Sequence, residues 1–317
     1  MLTTAEILNS VGHNFIIYFG SFVVISGIFG NLMNLCMFSQ KPLRRRSFSH
    51  YIIALSVVNI IQVPNTLISR TLAEAFNIDP TLTNVKYCKF RNYSDFAGPL
   101  ISLSLVCLAS SDRCMSTSRS SAYRELSTIK ISRRLILITY LFWLIHNIPF
   151  LVYFNINHLA SNHSVCSSTS VLWANYISYF IIPILYCVLP ITLLTSLGFK
   201  TYKNINTLQR RQRKTDVQLT SMILIQTIIV VLSTTPYCVF SIYAASTKYL
   251  VKDAVRTSQD ALLEKLTRYV FLTNFASGFY SYIFSSKAYR KQIRSAFKIL
   301  CQCRRANRVN SLKKNTM

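Results

Sequence analysis

The stretch SLVCLASSDRCMSTSRSS, Ser104 to Ser121, decides how the chain is read. A run of uncharged residues ends at Asp112 and Arg113, a carboxylate beside a guanidinium, and Cys114 and a Ser-rich tail follow. A long uncharged run closed by a charged pair is what a helix leaving a hydrocarbon layer would show.

Six more such runs lie on either side. A bilayer core about 30 Å thick needs roughly 20 apolar residues per helix. Windows of that size fall at 14–38, 48–69, 90–111, 135–154, 171–199, 217–247 and 269–286, and all are uncharged but the third, which has Arg91 at its edge and Asp95 in its interior. The composition agrees: the 317 residues are 51% hydrophobic and 14% charged, against about 25% charged in soluble domains. The predicted fold is an all-α membrane protein, a seven-transmembrane helix bundle with a short amphipathic eighth helix.

The division expected is an extracellular N-terminal arm over 1–13, the seven-span domain over 14–286, and a cytoplasmic helix with a basic tail over 287–317. The first window lacks a preceding basic stretch and a small-residue cleavage pattern, so it reads as a span and not as a removable signal peptide. No repeat of fixed period is visible.

Lys and Arg concentrate after the first, third and fifth windows and in the tail, as in Arg44–Arg45–Arg46 and Arg210–Arg211. Basic loops stay cytoplasmic, which places the N-terminus outside and the tail inside a plasma membrane. Nearly all of the formal charge of +25 falls on that inner side. Because it is split among membrane-flanking loops, the expected partner is anionic lipid, and no nucleic acid.

Of the nine Cys, Cys88 and Cys166 fall outside, where oxidation is permitted and a bridge would pin the loop between spans four and five. Cys301 and Cys303 follow the terminal amphipathic segment, as free thiols or as palmitoylation sites. Asn162-His163-Ser164 is a glycosylation acceptor in an exposed loop.

Asp95 and Arg113 are 18 residues apart, about five helical turns, so they share one face of the third helix about 27 Å apart along its axis. Ser102 lies on the same stripe. An ionisable group inside a span is costly enough to mark function by default.

These residues together resemble the rhodopsin-like G-protein-coupled receptors, nearest in kind to receptors for invertebrate neuropeptides. The likeness runs from Asn31 to about Cys303. It rests on Gly30-Asn31 in helix one, Cys88 standing 25 residues before Arg113, Asp112-Arg113-Cys114 in place of Asp-Arg-Tyr, and Trp143 in helix four. Cys166, Pro190, Pro236, and Tyr282 followed seven residues on by Tyr289 complete it.

The resemblance implies a Cys88–Cys166 disulfide, a helix-six hinge at Pro236, and a switch made of Asp112, Arg113, Asp216 and Tyr282. In that switch Asp216 would pair with Arg113 to hold helix six closed, and a heterotrimeric G protein would be the partner.

The sequence also departs from the family. The helix-two aspartate is Asn59, which implies weak or absent sodium sensitivity, and Ser102 and Asn274 could join Asn59 and Asn31 in a polar core. The helix-six tryptophan is missing in "STTP" (233–236). "GFYSY" (278–282) keeps only the tyrosine of "NPxxY", with Gly278 supplying flexibility.

Asp95 stands where several amine and peptide receptors anchor a ligand cation. The physics alone leaves two roles open, ligand contact or an internal pair with Arg91, Lys265 or Arg268. Helix five offers only Ser178, helix seven has Leu272 where amine receptors have tyrosine, and no lysine lies within helix seven to hold retinal. The ligand favoured is a small neuropeptide, basic or amidated, with a biogenic amine bound through Asp95 as the alternative.

No catalytic, metal-binding or phosphate-binding motif is present, so the chain is not read as an enzyme and no cofactor is expected. A transporter would show inverted repeats and several buried ionisable groups, and is the distant alternative.

Overall fold

The computed structural model describes residues 3–41, 43–76, 78–158, 164–205 and 210–295, without the side chains of 210–216. Asn162, Cys301 and Cys303 lie outside the described residues, as does the side chain of Asp216.

Six of the described helices are long and apolar enough to cross a membrane: α1 (Thr4–Phe38), α2 (Ser47–Phe76), α3 (Val85–Ser116), α4 (Ile129–Tyr153), α5 (Val171–Ile205) and α6 (Arg210–Ser246, apolar from Val217). The seventh helix, α7, comes in two segments, Ala254–Leu272 and Asn274–Ser285; its uncharged stretch begins at Tyr269, so the charged turns before it, Asp260 among them, stand outside the span. The break falls at Thr273, where the Ala276 amide donates to Thr273 O at 3.1 Å, a tighter i→i+3 turn. Gly278, read as supplying flexibility, lies within regular helix, five residues past the break. A last helix, α8, covers 287–295.

Local chemistry sets the helix starts. Thr3 caps α1 through a reciprocal box with Glu6, Asn84 Oδ1 accepts from the Tyr87 amide at 3.1 Å to cap α3, and Thr128 and Ser170 cap α4 and α5. The 1–13 segment is therefore no separate arm from Thr4 onward: it is the start of α1, and it packs against the first segment of α7.

In α5 the turns widen to π-helix over Ile177–Val188, a stretch that contains Pro183 and runs up to Pro190. Proline has no N–H and its ring clashes with the carbonyl four residues back, so a wider turn relieves two such clashes in one span.

The spans close into a bundle. α1 contacts α2 and α7, α6 contacts α5 and α7, and α3 touches α2, α4, α5 and α6. The share of the most apolar window that is buried is 67% in α3 and 11% in α4, so α3 is the axis and α4 the rim. At one end, strands β1 (Phe154–His158) and β2 (Ser164–Ser168) pair antiparallel with Ile156 opposite Cys166, and Cys166 is bonded to Cys88 on the first turn of α3. This is the hairpin end; the other is the Arg113 end.

The α2–α3 contact depends on Gly98. A Cβ there would run into Gln62 Oε1 and lie 2.9 Å from Gln62 Cβ, within a buried seam. Gly98→Ala is expected to cost about 1–3 kcal/mol through overpacking, read as earlier thermal unfolding of the purified protein; an unchanged transition would mean that Gln62 yields freely.

Candidate functional site

Asp95 lies in α3 near the hairpin end and is almost closed off, its side chain 9% exposed. Its Oδ1 accepts from Thr66 Oγ1 of α2 at 2.7 Å, while Oδ2 faces Arg70 of α2 at 3.4 Å and Arg91, one turn away on α3, at 3.8 Å. The geometry thus joins Asp95 to Arg91, one of its expected partners, and adds Arg70. The other two expected partners are engaged elsewhere, Lys265 with Glu74 and Arg268 with Glu264.

Sequence reading missed Arg70 because it stands one residue past the second uncharged window. The signal was there: Thr66 and Arg70 are four residues apart and so lie on one face of α2.

A cavity of about 280 Å³ opens beside this cluster, lined by Arg70, Asp95, Tyr186, Tyr237, Arg268 and Phe271 among others. A neighbouring compartment of about 530 Å³ shares Ile182, Tyr237 and Arg268 with it, and one of about 320 Å³ shares Arg70 and Arg268. Arg268 stands where all three meet. The Phe271 ring is stacked between Tyr186 at 5.8 Å and Tyr237 at 5.0 Å, and the Tyr186 hydroxyl donates to Phe96 O at 2.9 Å. These aromatics tie α3, α5, α6 and α7 together around the cavity.

The loop between α6 and α7 is clamped over the larger compartment. Lys252 Nζ donates to Asp260 Oδ2 at 2.5 Å and to Thr247 Oγ1 at 2.9 Å. The hydrogen bond from Lys252, joined by one from the Tyr243 hydroxyl, holds the Asp260 carboxyl below the usual carboxylate range. A depressed folded-state pKa gives stabilisation that is complete above the unfolded value and lost as pH falls through the folded one. Amide exchange over 247–257 should therefore stay slow from neutral pH into the ordinary carboxylate range and speed up only below it, once intrinsic exchange is corrected for; an onset at neutral pH would break the assignment.

The middle of the bundle is polar. Ser102 Oγ of α3 donates to Asn59 Oδ1 at 2.7 Å, Asn59 Nδ2 donates to Asn31 Oδ1 at 3.4 Å, and Asn31 Nδ2 donates to Phe275 O at 2.9 Å. Three of the four expected polar-core residues are thereby linked across α1, α2, α3 and α7. The fourth, Asn274, bonds instead to α6, accepting from Ser233 Oγ and donating to Thr234 Oγ1 at 3.2 Å. Both lie just before Pro236, whose missing N–H leaves the Leu232 carbonyl without its helical partner. The α7 break and the α6 proline therefore face each other through a side-chain bridge.

At the Arg113 end, Asp112 and Arg113 are 2% and 3% exposed and pair at 2.7 Å. Asp112 Oδ1 also accepts from Ser47 Oγ of α2 and Ser127 Oγ of the α3–α4 loop, both at 2.7 Å. The Arg113 guanidinium stands 5.2 Å from the Phe48 ring centroid, an additional cation–π contact. Tyr282, fully buried, packs against Phe38 and Tyr289, and its hydroxyl has no hydrogen-bond partner among the described residues. Tyr289 Oη donates to Asn34 Oδ1 at 2.7 Å, and Ile293 joins the core, so the described apolar face of α8 is turned to the bundle.

One helix thus carries a buried carboxylate beside a cavity at one end and a buried, hydrogen-bonded ion pair at the other. A family model for the seven-transmembrane receptors of the rhodopsin family matches residues 30–278. No curated protein matches the chain at a significant level.

Proposed function

The chain belongs to the rhodopsin family of seven-transmembrane receptors, and from that membership we propose that it carries the binding of an extracellular ligand, a small neuropeptide, across the plasma membrane to a heterotrimeric G protein. The hairpin end is then extracellular and the Arg113 end cytoplasmic. The observation that carries the reading is the single helix α3, which lines the cavity with Asp95 and buries Arg113 at its far end.

In the closed form Asp112, Ser47 and Ser127 hold Arg113 in place. Opening of α6 about Pro236, felt by α7 through Asn274 and with Tyr282 repacking, would free it for the transducer. Asp216 is the residue on α6 proposed to hold that helix in the closed form. A ligand that favours the open state by about 2.7 kcal/mol changes its population roughly a hundredfold.

The close pairing of Asp95 with two guanidinium groups supports a peptide over an amine, because an incoming ammonium would have to displace charges already in place. The experiment is G-protein activation in cells challenged with a panel of neuropeptides and biogenic amines, comparing wild type with Arg113→Ala at matched surface expression. A response lost in Arg113→Ala is the expected result. Silence across the panel, with basal signal indifferent to the substitution, removes the coupling claim.

A further inference from the structure

Within the cavity beside Asp95 the charges do not balance. Asp95 is the carboxylate that lines it, 9% exposed and engaged by Thr66, Arg70 and Arg91. Arg70 and Arg268 line the same space with side chains 31% and 27% exposed. The anion is covered while both cations keep part of their surface, on this cavity and on the neighbouring compartment that also holds Glu74, Asp79 and Glu264. Arg268 pairs with Glu264, one turn along its own helix and 46% exposed, a partner of the kind worth little. The Nε–H groups of Arg70 and Arg268 are buried with no hydrogen-bond partner among the described residues. A buried donor left unmade is costly, and two facing cations repel.

We propose that this cavity recognises an anionic group: the ligand presents a carboxylate or equivalent oxyanion to Arg70 and Arg268, and lays an apolar or aromatic body against the Tyr186–Phe271–Tyr237 stack. The planar guanidinium fork suits two-point recognition of a carboxylate. Asp95 is then a positioning residue that orients Arg70 and Arg91, its own charge engaged by them and by Thr66. This rests on the receptor reading above and reverses the sign of charge that Asp95 alone suggests. The carboxylate could belong to a small aromatic acid or to the free C-terminus of a peptide.

The test is calorimetric binding to the purified full-length protein of four probes: 3-phenylpropionate, 3-phenylpropylamine, and N-acetylphenylalanine as free acid and as amide. The acids are expected to bind in preference to the amine and the amide. The first acid alone points to a small ligand; the second, bound more tightly, points to a peptide terminus. Arg268→Gln should weaken the acids roughly tenfold to a hundredfold, the worth of a charge-assisted hydrogen bond. Arg268→Lys should restore part of the loss, and Arg268→Glu should turn the preference toward the amine.

The inference is overturned if the amine binds as tightly as the acids, if neither acid binds at millimolar concentration, or if acid binding is unchanged in Arg268→Gln. Binding is measured without a G protein. Activation by cationic ligands would sink the anion site and leave the receptor reading standing. Acid binding, together with basal signalling indifferent to Arg113→Ala and a silent ligand panel, would do the reverse.

Discussion

Asp112→Ala is expected to destabilise the protein by about 3–5 kcal/mol, the range for removing one partner of a buried ion pair. The loss is large because three donors converge on this carboxylate. Arg113, 3% exposed, would keep a full charge with its carboxylate gone, and Ser47 and Ser127 would keep only each other at 3.0 Å. Stability is read by thermal or denaturant unfolding of purified protein.

Asp112→Asn separates the contributions, since an amide oxygen still accepts from the two serines but no longer balances the guanidinium. Where Asp112→Asn loses as much as Asp112→Ala, the unbalanced charge accounts for most of the loss. The receptor reading adds a signalling consequence: an unrestrained Arg113 raises basal G-protein activation per receptor at the surface. Unfolding of Asp112→Ala within about 0.5 kcal/mol of wild type, the scale of an ordinary surface change, would remove the restraining role.

The second large effect is that of Cys88→Ser. The Cys88–Cys166 bridge closes a loop of sequence separation 78, and loop entropy alone would make it worth about 4.5 kcal/mol. The segment it closes includes two membrane spans, which already restrict the unfolded chain, so about 2–4 kcal/mol is expected. The local consequence is sharper than the global one. β1 begins at Phe154, which lines the cavity beside Asp95, so freeing β2 from α3 loosens a cavity wall. Reduction of wild type should reproduce the Cys88→Ser loss in thermal stability, and amide exchange over the hairpin should accelerate in both. A reduced protein as stable as the oxidised one would show that strand pairing alone holds the loop.

Much of the molecule was legible along the chain because a bilayer imposes local rules. Each span must be about 20 residues of uncharged sequence, and each departure from that is expensive. The seven windows, the Asp112–Arg113 boundary and the Cys88–Cys166 pair could therefore be placed from residue order alone. Helix identity depends on composition over a short window.

Partner choice does not, because it depends on how each helix is rotated and slid against its neighbours. Arg70 reaches Asp95 only because α2 and α3 pack closely at Gly98, and Asn274 turns to Ser233 and Thr234 because the α7 break at Thr273 sets its direction. Residues from Thr4 onward, although they precede the first window, are the start of α1 and dock on α7. Sequence by itself determined the seven-span class and the charged residues at the two ends of its third helix. The tertiary structure decided which charges meet, because electrostatic pairing acts over a few ångströms between helices that residue order keeps far apart.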